Sequence, residues 1–471
     1  MTIVKKIAAG IVSASLCAAV FAANQDVARP TTPEFQKSAV YQILLPVFTQ
    51  EGTLAKAQEM LPHIKSAGMD VVYLCPVVES DTDTNREFWS RRQKASGTEN
   101  PRNPYRMKDY FKIDPAFGTD ADLKSFVEAA HKLGLKVILD LVYYHCGPNA
   151  VFIKSNPDFV VRDAEGKVKT GKWNFPELNF KNPALREYLY KNMEHFVKDF
   201  GVDGYRTDVE ILIPADFWDD ACARLRKTYP ALIMVGESER ATAQISAYDA
   251  NYCWGWYRAL VAVFEGKKPA SELRKAWEAV NEKMPINARV LRALDNHDTA
   301  SDVEGRVSYE RKFGSRGMDA VQVLNFAIDG IPFVYNGNEI ANDAYLSMFS
   351  SKEHGRYFVA WENALAENGK RRLALIKKLS DMRHEYSALS EGKTLWLDTS
   401  APESVAVFVR EAKGQKLLVA VNVKNSAAEA EISSEIEVGR ELLSYGAKVE
   451  KTAKGLKISL SPYGYAVWEI K

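Results

Sequence analysis

Carboxylates, histidines and an arginine stand at the ends of four apolar runs of the sequence. These polar ends fall in segments 140–145, 204–208, 235–237 and 294–298. In a parallel barrel the strands bury their bodies and present their carboxyl ends to a ligand. The four segments therefore predict strand ends around one pocket, and their residue types are those of a hydrolase.

The spacing of three acids fits the cleavage of a glycosidic bond. Glu237 follows Asp208 by 29 residues, close to one strand-plus-helix step, and Asp298 follows Glu237 by 61 residues, about two steps. Cleavage that retains the anomeric configuration needs an acid that protonates the leaving oxygen and a carboxylate that traps the positively charged sugar. The two carboxyl groups lie about 5–5.5 Å apart. Adjacent barrel strands can present two carboxyls in this way.

Three further side chains would complete a sugar pocket. Arg206 lies two residues before Asp208, so both face the same way along a strand, and its guanidinium would hold Asp208 ionised and oriented. His145 and His297 are placed to donate hydrogen bonds to sugar hydroxyls. An isolated acid at a strand end fits a helix cap or an ion pair better. It is the combination of these residues that favours catalysis.

Alternating strand-like and helical segments predict the scaffold. The alternation runs from about residue 39 to 388 and is typical of a parallel sheet covered by helices. The amphipathic stretches 121–133 and 185–200 should coat the sheet. Eight strand-like runs suggest a closed (β/α)8 TIM barrel, an α/β fold; they cover residues 40–47, 71–75, 137–143, 202–208, 232–236, 248–253, 288–294 and 331–335.

Two insertions and a change of period predict the other domains. Residues 146–181 form a short inserted domain B after strand 3, which divides the barrel into 23–145 and 182–388. This insertion and the long connection 81–110 should build walls of the cleft. From residue 389 to 471 apolar residues recur at every second position, which predicts a C-terminal antiparallel β-sandwich.

The first residues follow the pattern of a secretory signal peptide. Lys5 and Lys6 precede an apolar stretch and small residues that fit a cut after Ala22. Residues 1–22 therefore predict export to the periplasm or the medium, with an uncleaved membrane anchor as the alternative.

Overall charge and cysteine spacing exclude several kinds of partner. The formal net charge is +1, from 62 Lys and Arg against 61 Asp and Glu, so nothing favours nucleic acid or another polyanion. The apolar leader is the one candidate membrane segment. Beyond it the cysteines form no Cys-x-x-Cys pair, and buried free thiols are favoured over a disulfide between Cys75 and Cys146.

The polar strand ends resemble the signatures of the alpha-amylase family, glycoside hydrolase family 13, and the resemblance covers nearly the whole chain beyond the leader. Further matches in the expected order are 110–119, 130–140 and 330–339. The four signatures are similar to Asp140-Leu-Val-Tyr-Tyr-His145, Gly201-Val-Asp-Gly-Tyr-Arg-Thr-Asp208, Gly236-Glu237 and Asn296-His297-Asp298.

The resemblance implies a role for each acid. Asp208 matches the nucleophile, Glu237 the acid/base and Asp298 the transition-state stabiliser of a retaining, two-step mechanism. Tyr105, in Asn103-Pro-Tyr105, matches the aromatic residue that stacks on the sugar at the cleavage point.

Two positions depart from the family pattern. Tyr144 stands where typical members have an Asn that helps to hold a structural calcium, and a phenol is a poor ligand for a hard cation. We therefore expect no metal at that site and no other cofactor. Val209-Glu210-Ile211 stands where many members carry Lys-His, and an acidic Glu210 is expected to change the subsites for the leaving sugar.

These features together predict an exported retaining α-glucan hydrolase that cleaves α-1,4-glucosidic bonds in starch-type oligosaccharides or polysaccharides. An α-glucosidase, a cyclodextrin- or pullulan-cleaving enzyme and a transglycosylase of the same family remain alternatives. A non-catalytic glucan-binding relative is disfavoured, because Asp208, Glu237 and Asp298 are all present.

Overall fold

A computed structural model describes residues 26–302, 307–350 and 357–471 of the chain. The predicted signal peptide, residues 1–22, lies outside the described residues.

Eight parallel strands form a barrel, which confirms the predicted fold class. The hydrogen-bonded order runs from β6 through β5, β4, β3, β2 and β1 to β8 and β7. A parallel bridge between Asn251 and Val290 closes the ring from β6 to β7. The strands are β1 (Val40–Ile43), β2 (Val71–Leu74), β3 (Lys136–Leu141), β4 (Gly204–Thr207), β5 (Ile233–Gly236), β6 (Ala250–Asn251), β7 (Leu291–Arg292) and β8 (Ile331–Tyr335).

Helices follow most of the strands and cover the barrel. Two of the longer ones begin with recognisable caps: Thr119 forms a capping box with Asp122, and Asn182 accepts from Ala184 N–H ahead of Pro183. The α-helices are Pro33–Lys37, Leu45–Phe48, Leu54–Glu59, Leu61–Ser66, Arg91–Ala95, Asp120–Lys132, Pro183–Phe200, Ala215–Thr228, Ala243–Ser246, Trp254–Phe264, Ser271–Asn281, Thr299–Asp302, Tyr309–Ala327, Glu367–Glu385 and Ser387–Ser390. Short 3-10 helices are Arg86–Phe88, Pro157–Phe159, Glu210–Leu212, Asn338–Ile340 and Trp361–Leu365.

The strand that carries two site residues begins at a position that only glycine fits. Gly204 has a φ of 156°, and a Cβ atom there would lie 1.9 Å from the carbonyl oxygen of Ile233 on β5. The missing side chain lets β4 approach β5 closely, which sets the position of Arg206 and Asp208 against Glu237.

Both long insertions have a framework of their own. In the first, Val78–Ser80 pairs antiparallel with Met107–Ile113, and Arg106 donates hydrogen bonds to four backbone carbonyls within residues 81–101. In the second, residues 146–181, isolated bridges such as Val160 to Leu178 and Thr170 to Pro176 replace continuous strands. These contacts fix two loops at the carboxyl ends of the barrel strands.

The C-terminal domain is an antiparallel sheet that contributes to two cores. Along β10, Val405, Val407 and Val409 belong to a core inside the domain, whereas Ala406 and Phe408 belong to the core of the barrel. The strands are β9 (Lys393–Trp396), β10 (Val405–Ala412), β11 (Gln415–Asn422), β12 (Ala428–Ile432), β13 (Val438–Thr452) and β14 (Gly455–Ile470). The side chains of β9 and β13 are exposed or half-buried, apart from the buried Trp396.

Two further features bear on the sequence-based expectations. Cys75, Cys146, Cys222 and Cys253 are buried free thiols, as predicted. Within the described parts of the chain, no helix has both the length and the apolar character needed to cross a membrane.

Candidate active site

A cleft of about 1340 Å³ opens at the carboxyl ends of the barrel strands. Five of the seven predicted site residues line it, and the other two, Arg206 and His297, are buried beside them with 0% and 1% exposure. The five are Tyr105, His145, Asp208, Glu237 and Asp298. The structure therefore brings all seven predicted residues together, and both predicted wall segments contribute to the lining.

One buried guanidinium connects the acids. Arg206 Nη1 donates to both oxygens of Asp140, at 2.6 and 2.8 Å, and to Asp208 Oδ1 at 3.1 Å. Its Nη2 lies 2.7 Å from Glu237 Oε2, although not in the alignment of a hydrogen bond. A single cation therefore faces three carboxylates from adjacent strands.

Strand alternation aims these side chains into the barrel mouth. Arg206 and Asp208 face the site, whereas the intervening Thr207 bonds to Tyr248 on the other side, 2.9 Å between hydroxyls. Tyr205, before Arg206, donates outward to the carbonyl of Met193 in a covering helix. The observed orientation is the one predicted from the spacing.

Asp298 and His297 are held by residues distant in sequence. Gln42, on β1, hydrogen-bonds the ring of His297 at Nδ1, 2.7 Å away, and accepts from its backbone N–H at 3.2 Å. Asp298 forms an ion pair with Arg92, from the helix Arg91–Ala95 of the first insertion. Asp298 is therefore already charge-paired before a sugar enters.

Aromatic rings surround the two histidines. Tyr105 stacks on His297, with ring centroids 5.0 Å apart and an angle of 7°, and donates to Asp140 at 2.7 Å. The ring of His145 hydrogen-bonds the carbonyl of Tyr105 through Nε2 at 2.8 Å. It also packs against Trp173 and Phe175 of domain B, at 5.4 and 4.9 Å. The edges of these rings leave a polar and aromatic surface suited to a sugar.

Burial changes the protonation of the two principal acids. Burial, together with Glu237, Asp140 and Asp298, raises the pKa of Asp208 well above its ordinary value, against the lowering effect of Arg206. Burial also raises the pKa of Glu237. As expected, the contact with Arg206 lowers the pKa of Asp208. In the free enzyme, however, burial and the neighbouring acids raise this pKa by more than Arg206 lowers it. The pair takes up protons more readily than exposed carboxyls do.

The third acid and the histidines shift the other way. Burial tends to raise the pKa of Asp298, but His297 and Arg92 bring it down to about 2. Burial lowers the pKa of His145 and of His297 to about 4. At neutral pH the site therefore holds an ionised Asp298 beside two neutral imidazoles.

The segment after Asp208 differs from the expectation for Glu210. Glu210 is 1% exposed and points away from the cleft, where it accepts from Ser238 and pairs with Arg240 at 3.1 Å. Ile211 and Leu212 line the cleft instead. Within this segment, the side chains that face the cleft are consequently apolar and not acidic.

The surroundings of Tyr144 do not fit a hard cation. Its hydroxyl donates to Glu177, and burial together with Glu177 raises the pKa of Tyr144 to about 12, so the phenol keeps its proton. Glu177 also faces Lys169 Nζ at 3.7 Å. Among the described residues no group of three or more His, Cys, Asp or Glu side chains has an arrangement that could hold a metal ion.

Several contributors to the site were missed from sequence. Asp140, at the end of β3, is the main acceptor for Arg206, and Tyr73 on β2 donates to it at 2.6 Å. Alternation along β2 and β3 could have identified both. Gln42 and Arg92 gave no such signal, because their partners lie more than 200 residues away.

Two family models match the chain. The model described as the catalytic domain of alpha amylase matches residues 31–169 and 167–373. The model described as the C-terminal domain of maltogenic amylase matches residues 396–467.

Individual relatives are distant. Alpha-amylase 2 of Dictyoglomus thermophilum is 22% identical over 79% of this chain, and a cyclomaltodextrinase of a Bacillus species is 24% identical over 79%. The matches span 64% and 65% of those proteins, so the chain covers less than two thirds of their length. A solved structure of a noncanonic maltogenic alpha-amylase from Thermotoga neapolitana, 22% identical, has the same fold with a TM-score of 0.79 over 93% of this chain and 100% of that one.

Proposed function

Since the chain belongs to the alpha-amylase family, glycoside hydrolase family 13, we propose that it is a retaining α-glucan hydrolase that cleaves α-1,4-glucosidic bonds. The observation that carries the proposal is the set of three carboxylates, Asp208, Glu237 and Asp298, gathered in one cleft around buried Arg206. Its substrates are starch-type oligosaccharides or polysaccharides.

The proposed reaction has two steps. Asp208 attacks the anomeric carbon while Glu237 protonates the leaving oxygen, which gives a covalent glycosyl-enzyme. Glu237 then takes a proton from water, which attacks the same carbon and releases Asp208. Asp298, ionised throughout, binds sugar hydroxyls and stabilises the positive charge of the oxocarbenium-like state.

Contacts and burial in the free enzyme support this division of roles. The hydrogen bond from Arg206 favours negative charge on Asp208. The backbone N–H of Val209 donates to Glu237 Oε2 at 2.8 Å and orients that carboxyl, whereas burial raises the pKa of Glu237 and favours the protonated form that an acid needs. Asp208 and Glu237 together hold a proton in the free enzyme. This proton can be donated to the leaving oxygen when it resides on Glu237. His145 and His297, neutral at pH 7, offer N–H and nitrogen lone pairs to hydroxyls without competing as cations.

Replacing the acid tests the assignment directly. Glu237→Gln should lower turnover of maltooligosaccharides by at least about 10³-fold, because the leaving oxygen loses its proton donor. Glu128→Gln, on the exposed face of the helix Asp120–Lys132, is the control and should retain full turnover. Equal turnover of Glu237→Gln and wild type, measured by reducing-sugar release, would refute the role.

The stereochemistry provides a separate test of the two-step mechanism. Proton NMR of freshly released product should show the α-anomer first, because two inversions restore the configuration. Initial appearance of the β-anomer would show a single displacement and remove the nucleophile role of Asp208.

The relatives suggest a second candidate substrate. The C-terminal domain matches the maltogenic amylase model, and one relative is named a cyclomaltodextrinase. Short or cyclic glucans are therefore the alternative to long starch chains. Product profiles on maltoheptaose, pullulan and cyclodextrin distinguish them, because each class of enzyme cleaves a different subset of these substrates.

The metal requirement is also a proposal. Tyr144 and Glu177 use their oxygens on each other, which supports the absence of calcium from the usual family site. We expect EDTA to leave the melting temperature within about 1 °C of its value in untreated enzyme. A fall of several degrees that added calcium restores would show that a structural calcium is present.

Export rests on the sequence of the leader. Lys5, Lys6, the apolar stretch and the small residues around Ala22 support removal of residues 1–22 during export to the periplasm or the medium. Mass spectrometry of the protein expressed with its leader should give a chain that starts at Ala23. A chain that keeps the leader would favour the membrane anchor.

A further inference from the structure

The first insertion, residues 81–110, contacts both members of the adjacent pair His297 and Asp298. Tyr105 stacks on the ring of His297, with centroids 5.0 Å apart. Arg92 forms an ion pair with Asp298, from Nη1 to Oδ1. The insertion follows β2, whereas the pair follows β7, and β8 and β1 lie between these two strands in the barrel. Arg92 therefore reaches Asp298 across part of the barrel mouth, from a different wall of the cleft.

The backbone of Asp298 is fixed locally, and its carboxyl is oriented by two neighbours. Asn296 Oδ1 accepts the backbone N–H of Asp298 at 2.9 Å. Arg92 contacts Oδ1 of the carboxyl, and His297 Nε2 lies 3.5 Å from Oδ2. A contact of that length is weak. Arg92 therefore makes the closer of the two contacts and sets the rotation of the carboxylate.

The short helix that carries Arg92, Arg91–Ala95, is anchored by buried amide groups. The side chain of Gln93 is fully buried and donates to the carbonyl of Asn100 at 2.9 Å. The side chain of Asn100 in turn donates to the carbonyl of Phe349 at 2.9 Å. The guanidinium of Arg92 is thus presented from a backbone that packing and hydrogen bonds hold in place.

In this ion pair, orientation contributes more than charge. The side chains of Arg92 and Asp298 are 34% and 26% exposed, so water screens their attraction and the pair adds little to stability. An oxocarbenium-like state is stabilised best by a carboxylate that is already aimed at the developing charge. A displacement of about 1 Å can lower the rate about 100-fold. A side chain that fixes this carboxylate should therefore affect kcat more than stability.

We propose that Arg92 is a positioning residue for the reaction, which holds the carboxylate of Asp298 in the orientation that the oxocarbenium-like state requires. The inference rests on the proposed function, in which Asp298 stabilises that state. Arg92 acts through Asp298 and not on the reacting atoms. The polar first insertion thereby gains a role in catalysis, because it supplies Arg92 to Asp298 and Tyr105 to His297.

Arg92→Met tests this role by separating kcat from KM. With the faster cleaved of maltoheptaose and cyclodextrin as substrate, kcat should fall about 10- to 100-fold while KM changes less than about threefold, because the carboxylate acts on charge that develops in the transition state. The melting temperature should stay within about 2 °C of the wild-type value. Lys94→Met, exposed on the same helix and outside the cleft lining, is the matched control and should keep the wild-type kcat.

A double-mutant cycle shows whether Arg92 acts through Asp298. Asp298→Asn alone should lower kcat at least about 100-fold. In that background Arg92→Met should not lower kcat further, because the carboxylate that Arg92 orients is already absent. A further fall of about tenfold would show that Arg92 acts by another route and would overturn the inference.

Turnover by the wild type separates failure of this inference from failure of the proposed function. Cleavage by the wild type with an unchanged kcat in Arg92→Met, or with an equal loss in Lys94→Met, would overturn the inference alone. A fall of many degrees in the melting temperature of Arg92→Met would also overturn it, in favour of a structural role. Absence of cleavage of both substrates by the wild type, or an unchanged kcat in Asp298→Asn, would overturn the proposed function and the inference with it.

Discussion

At the scale of single residues, Arg206 determines the charge of the site. It is fully buried, yet it faces Asp140, Asp208 and Glu237 from three strands. A buried cation is stable only where carboxylates and hydrogen bonds replace its hydration. The same arrangement offsets part of the repulsion among three buried acids, so the stability of the site depends on one guanidinium.

His145 should make stability depend on pH. Burial lowers its pKa to about 4, against 6.5 in an unfolded chain, and its ring neighbours Tyr144, Trp173 and Phe175 carry no charge that would oppose this. Between pH 6.5 and 4 the unfolded chain binds a proton that the folded protein does not, so this contribution is present above pH 6.5 and decreases as pH falls towards 4.

A variant without the imidazole isolates this effect. The melting temperature of the wild type minus that of His145→Gln should be largest at pH 7 and should decrease steadily to pH 4. Over this range the corresponding difference in the free energy of unfolding should fall by on the order of 3 kcal/mol. Thermal unfolding followed by circular dichroism at four or five pH values measures it. A difference that stays constant over this range would contradict the prediction.

Short-range patterns explain which site residues could be predicted. Asp208, Glu237 and Asp298 follow apolar runs, and alternation placed Arg206 on the same face as Asp208. The direction of Glu210 could not be predicted, because it depends on the left-handed backbone at Val209 and on Arg240, thirty residues further along the chain. Such orientation arises only when elements pack together.

At the scale of elements, strand length limited the prediction of the fold. The strand β8 was predicted with its observed bounds, but β6 and β7 contain two residues each, fewer than the apolar runs that indicated them. The ladder hydrogen bonds of a barrel end where the strands diverge into loops, and hydrophobicity continues past that point. Existence and order of the barrel strands were therefore predictable, and most of their ends were not.

The turn after β4 is held by the ion pair between Glu210 and Arg240. Arg240→Met would leave Glu210 buried without its cation, and we expect the free energy of unfolding to fall by roughly 3 kcal/mol. Adding Glu210→Gln should recover part of this loss, because the buried charge is then removed. Urea unfolding measures both variants.

A loosely paired arginine on the same side of the barrel provides the control. Arg258 is 67% exposed and lies 3.9 Å from Glu239, so Arg258→Met should change stability by less than about 0.5 kcal/mol. Equal effects of the two arginine substitutions, or no recovery in the double variant, would show that Glu210 is not held by its charge partner.

At the scale of the whole molecule, the barrel and the C-terminal domain share a core. The barrel core includes Phe408 of β10 and Val419 of β11, and the N–H groups of Ala270 and Ser271 bond to carbonyls of residues 403 and 402, at 3.1 and 2.9 Å. Phe264 stacks on Tyr463 of β14 with centroids 6.1 Å apart. A sheet shared in this way favours one cooperative transition over independent unfolding of two domains.

This cooperativity should be visible in a substitution far from the cleft. Phe408 is fully buried and packs on Trp396 at 5.1 Å, so Phe408→Ala should lower the free energy of unfolding by about 3–5 kcal/mol. Because the core is shared, residual activity and tryptophan fluorescence should show one common urea midpoint, shifted equally. Leu395→Ala, on the neighbouring strand but 62% exposed, should leave that midpoint unchanged. If Phe408→Ala moved the fluorescence midpoint while activity persisted to the wild-type midpoint, the barrel would fold independently of the C-terminal sheet.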